Sequence, residues 1–105
     1  MATYPAPPLD GFYRDLADAG AMLGHPVRHR ILALLLRTPA ASRARLRAEA
    51  GPGALAHLRV LEALGVVAPT GAEGGRDRPY RLDVERYRSL ARALGAVVDS
   101  SAVAA

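Results

Sequence analysis

With 105 residues the chain can bury one hydrophobic core but is too short for two ordinary domains. A hydrophobic fraction of 50%, with no run near the ~18 apolar residues of a membrane span, predicts a soluble globular protein with no membrane partner. The lack of cysteine excludes disulfides, thiolate metal sites and cysteine nucleophiles. The net charge of +4 is unevenly spread, because all 14 basic residues are arginine and seven of them fall between positions 28 and 59 against one acid, Glu49. Such a local surplus is the electrostatic footprint of a polyanion-binding face.

Residues 1–8 hold three prolines and no hydrophobic period, which predicts a disordered arm. The arm has neither a basic stretch nor an apolar core, so it does not read as a secretory signal, and a cytoplasmic protein is expected. Leu9, Phe12, Tyr13, Leu16, Ala19 and Leu23 recur at three- and four-residue steps and predict a first amphipathic helix, closed by Gly24. Pro26 fits the first turn of a second helix, where its missing N–H is not needed. Val27, Ile31, Leu34 and Leu35 form the core stripe of that helix, and Leu32 and Leu36 make it apolar on further sides, as in a helix surrounded by others.

Pro39 stops the second helix, and Ser42 is a suitable N-cap for a third one through Ala50 that carries Arg43, Arg45 and Arg47. Gly51-Pro52-Gly53 reads as a turn, with Pro52 setting the first position of a fourth helix. That helix buries Ala54, Leu58, Leu61 and Leu64 and ends at Gly65. Val66-Val67-Ala68 and Tyr80-Arg81-Leu82 are strand-like and flank a polar, glycine-rich loop, which predicts a β-hairpin with a mobile tip and Tyr80 in the core beneath it. Asp83 can cap a last helix whose stripe Val84, Tyr87, Ala91, Leu94 and Val98 needs a partner. Residues 99–105 are expected to form a flexible tail, leaving residues 9–98 as the folded domain.

Four helices, a hairpin and a fifth helix define a mainly α fold with a small β-hairpin, in the order of a winged helix-turn-helix. Three segments carry a more specific likeness: Leu23-Gly24-His25-Pro26-Val27-Arg28-His29-Arg30-Ile31-Leu32; His57-Leu58-Arg59-Val60-Leu61 with Ala63-Leu64-Gly65-Val66-Val67; and Gly75-Arg76 with Pro79-Tyr80-Arg81-Leu82. In this order and spacing they resemble the ArsR/SmtB family of bacterial repressors over residues 9–98. The resemblance implies a homodimeric transcriptional repressor that binds a palindromic DNA operator, with its fourth helix in the major groove.

The expected DNA-binding residues are Ser42, Arg43, Arg45 and Arg47 on the third helix, Gly53, Leu55, Ala56, His57 and Arg59 on the fourth, and Arg76 and Arg78 on the hairpin. The chain departs from the family at the start of the fourth helix, where Gly51-Pro52-Gly53-Ala54-Leu55-Ala56 replaces the usual polar residues and leaves His57 and Arg59 as polar readers. Backbone N–H groups there can hold a phosphate, and Ala56 or Leu55 can meet a thymine methyl. Leu9, Phe12, Tyr13, Leu16, Tyr87, Leu90, Ala91, Leu94 and Val98 are the expected dimer interface.

Metal sensors of the family use cysteine pairs on the third helix, or Asp, His and Glu on the last. This chain has no cysteine, and its last helix offers Asp83 and Glu85 without a histidine. No metal or other cofactor is therefore expected, which leaves a small-molecule effector, a co-regulator protein or no effector at all. The alternatives are a nickel- or zinc-responsive repressor using His25 and His29, and a winged-helix protein-interaction module. An enzyme is not expected, because the three histidines have no nucleophile or carboxylate partner motif.

Overall fold

A computed structural model describes residues 6–71 and 78–104, with side chains described for 11–71 and 78–99. The element order is α1 (Ala6–Met22), α2 (Pro26–Arg37), α3 (Arg43–Ala50), α4 (Ala54–Ala63), β1 (Val67–Pro69), β2 (Tyr80–Leu82) and α5 (Val84–Ala104). This is the order expected from the sequence and is compatible with a winged helix. Among the described residues no helix is long and apolar enough to cross a membrane.

Local chemistry sets most of the boundaries. Ser42 Oγ accepts the Arg45 N–H at the start of α3, and Asp83 Oδ1 accepts the Arg86 N–H at the start of α5. Gly65 ends α4 at φ 79°, a left-handed position that disfavours side chains; the Gly65 and Val66 N–H groups then donate to the Glu62 and Leu61 carbonyls. Pro52 does not open α4 as expected. The helix begins at Ala54, behind Gly53 in a left-handed N-cap conformation at φ 84°.

α1 begins at Ala6, so residues 6–8 belong to a helix rather than to the predicted arm. Pro7 and Pro8 are tolerated there because first-turn N–H groups have no intrahelical acceptor. α5 likewise runs on to Ala104 through the predicted tail, where small alanines favour helix. Residues 1–5 of the arm, the hairpin tip at 72–77 with Arg76, and the Leu9 side chain lie outside the described residues.

The core forms where α2 meets α3, α4 and β2. Ile31, Leu34, Leu46, Leu58, Leu61, Val66 and Val67 are buried in it; each such aliphatic side chain contributes about 1.5–3 kcal/mol. Leu32 joins the core, but Leu36 is 54% exposed, so α2 is not enclosed on that side. β1 and β2 pair antiparallel in the register Val67 to Leu82 and Pro69 to Tyr80. Ala41 adds a backbone bridge to the free edge of Tyr80, tying the α2–α3 connection to the hairpin. The strand-like stretch expected at Val66–Ala68 is shifted by one residue, because Val66 completes the helix-ending turn.

α1 packs along α5 beside this core. Leu90 is fully buried within the chain, which corrects its expected place in a dimer interface. Ala19 and Met22 of α1 are buried as well, whereas Tyr13 and Val98 are 61% and 59% exposed. The radius of gyration is 16.2 Å, against about 13 Å for a compact chain of this length, so part of the molecule projects from the core.

Candidate nucleic-acid interface

α4 buries Ala54, Leu58 and Leu61 against the core, which leaves Ala56, Arg59, Glu62 and Ala63 on its exposed side. These residues recur at three- and four-residue steps and therefore form one stripe. Arg59 is its sole cation, and its guanidinium forms no hydrogen bond or ion pair with the described residues. Arg45 and Arg47 are exposed on the neighbouring α3. Glu49, the one acid of the basic segment, pairs with Arg37 at 3.2 Å. An exposed pair of this kind contributes little to stability.

Four predicted site residues make contacts within the protein. Ser42 supplies its oxygen to the α3 cap. Arg43 donates to the Tyr80 hydroxyl at 3.0 Å, and its guanidinium carbon lies 5.7 Å from the centre of the Tyr80 ring. His57 turns away from the exposed stripe to stack on His25, with ring centres 4.1 Å apart, and its Nδ1 accepts from Arg28 Nε at 3.1 Å. Half-buried His57 thus fixes α4 against the start of α2. Arg78 is half-buried at the base of the hairpin and donates to the Gly71 carbonyl.

His25 and His29 are engaged separately. The Nδ1 of His25 accepts the Val27 N–H and caps α2, while His29 Nε2 meets the Leu23 carbonyl at 2.6 Å. The structure pairs His25 with His57 instead, and among the described residues no group of three or more potential ligands is assembled for a metal ion.

The cluster of His25, Arg28 and His57 had no sequence signal, since His57 lies on α4, far in sequence from His25 and Arg28 at the start of α2. It has an electrostatic consequence. Desolvation, followed by the charges of His25 and Arg28, holds the His57 imidazole below its ordinary pKa. A neutral ring also suits Nδ1 as the acceptor for Arg28. Because the folded value is the lower one, the contribution is fully present above the ordinary imidazole value and is lost as pH falls from there through the lowered value. Lowering the pH from about 7.5 to about 5 is expected to reduce the melting temperature of the native chain more than that of His57→Gln. Equal losses in the two chains would contradict this role for His57.

A small recess lies between α3, α4 and β2. It is lined by Arg43, Leu55, Leu58, Arg59 and Tyr80 and has a volume of about 40 Å³. Leu58 and Tyr80 are buried, Leu55 is half-buried, and two arginines rim the recess. Compared with models of known protein families and with curated protein sequences, the chain matches none.

Proposed function

We propose that the protein is a DNA-binding transcriptional regulator, a repressor of the ArsR/SmtB type that binds a two-fold operator as a homodimer. The observation that carries this reading is the exposed stripe Ala56, Arg59, Glu62 and Ala63 on α4, beside Arg45 and Arg47 of α3. The small side chains of Ala56 and Ala63 allow close approach of α4 to a major groove, and the flanking arginines meet phosphates. With His57 held by Arg28, base discrimination falls to the Ala56 methyl against thymine and to the shape of the duplex.

Ala56 is exposed, so Ala56→Asp leaves the fold intact while placing a carboxylate against the DNA. Fluorescence anisotropy with duplexes from the protein's own promoter is expected to show at least a ten-fold loss of affinity, about 1.4 kcal/mol, with an unchanged melting temperature. Undiminished DNA affinity in this variant would place the contact surface elsewhere. A native chain that binds no duplex and captures a protein through the same stripe would favour an interaction module.

A further inference from the structure

Tyr80 is only 5% exposed and lines the recess between α3, α4 and β2. The hydroxyl oxygen accepts from Arg43. Among the described residues its own proton is donated to no acceptor. A hydroxyl carries one donor and two acceptor positions, so its donor stays available to water or to a ligand in the recess. Arg59 also lines the recess, and its guanidinium has no partner among the described residues. Among the described residues no carboxylate lines the recess, and Leu55 and Leu58 form its apolar side.

We propose that this recess is the seat of one phosphate group, which accepts hydrogen bonds from the Arg59 guanidinium and the Tyr80 hydroxyl, with Arg43 orienting that hydroxyl. The inference deepens the DNA-binding reading and, for the DNA backbone as the source of the phosphate, rests on it. A phosphate oxygen offers the acceptor that Tyr80 lacks, and the planar fork of Arg59 matches two oxygens of the same group. Arg59 then holds the backbone rather than a base edge, so its replacement weakens all duplexes alike. Tyr80 registers α4 on the duplex from beneath the hairpin.

Two measurements on the full chain distinguish a free phosphate from a DNA phosphate. Inorganic phosphate is titrated into the ¹⁵N-labelled protein at constant ionic strength, without DNA. Localised shifts at Leu55, Leu58, Arg59 and Tyr80 that vanish in Tyr80→Phe support the seat whatever the protein does with DNA. Separately, duplex affinity is measured against salt for the native chain, Tyr80→Phe and Arg59→Gln. Loss of one phosphate contact per protomer makes the log–log slope shallower by about 0.9 per protomer, about 1.8 per dimer. A purely structural role for Tyr80 lowers the melting temperature and leaves the slope unchanged. Either the localised shifts or the shallower slope in both variants supports the proposal; shifts alone assign the seat to free phosphate. No localised shift together with unchanged slopes overturns it, as does relaxed preference at one base position in Arg59→Gln. A native chain that binds no DNA refutes the proposed function, while the phosphate titration still decides the seat.

Discussion

Arg86→Ala is expected to lower the unfolding free energy by about 2–4 kcal/mol. One guanidinium joins three elements: Nε donates to the Leu64 carbonyl at the end of α4 at 3.1 Å, and its two terminal nitrogens donate to Asp15 at 2.9 Å and Asp18 at 2.6 Å on α1. Removing it leaves two carboxylates facing each other and a helix-ending carbonyl without its donor. The Arg86 side chain is 28% exposed and that of Asp15 34%, so water relieves part of the loss, and the value falls below that of a fully buried pair. Arg86→Lys keeps the charge but cannot reach all three acceptors with a planar fork, and an intermediate loss is expected. Urea unfolding measures both. A loss below about 0.5 kcal/mol in Arg86→Ala, typical of an ordinary surface position, would contradict this role.

Ala91→Glu combined with Val98→Asp is expected to leave the chain folded and to make it a monomer. Both positions are exposed on α5, on a seam continued by exposed Val84 and half-buried Tyr87 and Leu94. The spacing of the seam is that of a helix meeting a second helix, and α1 presents exposed Tyr13 beside half-buried Phe12. In the proposed homodimer a second copy covers this surface, so each added carboxylate is buried twice without a partner. Dissociation constants are expected to rise at least about 100-fold, about 2.7 kcal/mol. Sedimentation of the native chain should then give twice the 11.1 kDa chain mass, and that of the variant a single chain mass. A variant that still sediments as a dimer would remove this seam from the interface.

The elements most legible in the sequence are those whose boundaries depend on neighbouring residues. Ser42, Asp83 and Gly65 act within three or four positions of themselves, and each does what its chemistry implies. The destination of a helical face is less legible. Periodicity groups Val84, Tyr87, Ala91, Leu94 and Val98 on α5, but Leu90 is apolar too, and only packing against the rest of the chain makes Leu90 the buried member and leaves Val98 outside. Pro52 misled in a related way. Its ring suits a helix start, but the glycines on either side both take positive φ, at 92° and 84°, and delay the helix to Ala54.

Contacts between distant segments left the weakest trace. His57 reads as an exposed polar residue at a helix start, and its direction is set by Arg28 and His25 on another helix. Arg43 alternates with Arg45 and Arg47 in the sequence, yet it alone turns to Tyr80, because the Ala41 bridge draws β2 under the start of α3. The recess rimmed by Arg43 and Arg59 follows from that bridge and has no motif of its own.

The proposed DNA recognition by this surface is tested most directly by measuring duplex affinity as a function of salt. Arg45, Arg47 and Arg59, doubled across a homodimer, displace counterions from several phosphates at once, so log affinity against log salt is predicted to fall with a slope of roughly −4 or steeper. Affinity unchanged between about 0.05 and 0.2 M salt would contradict DNA binding.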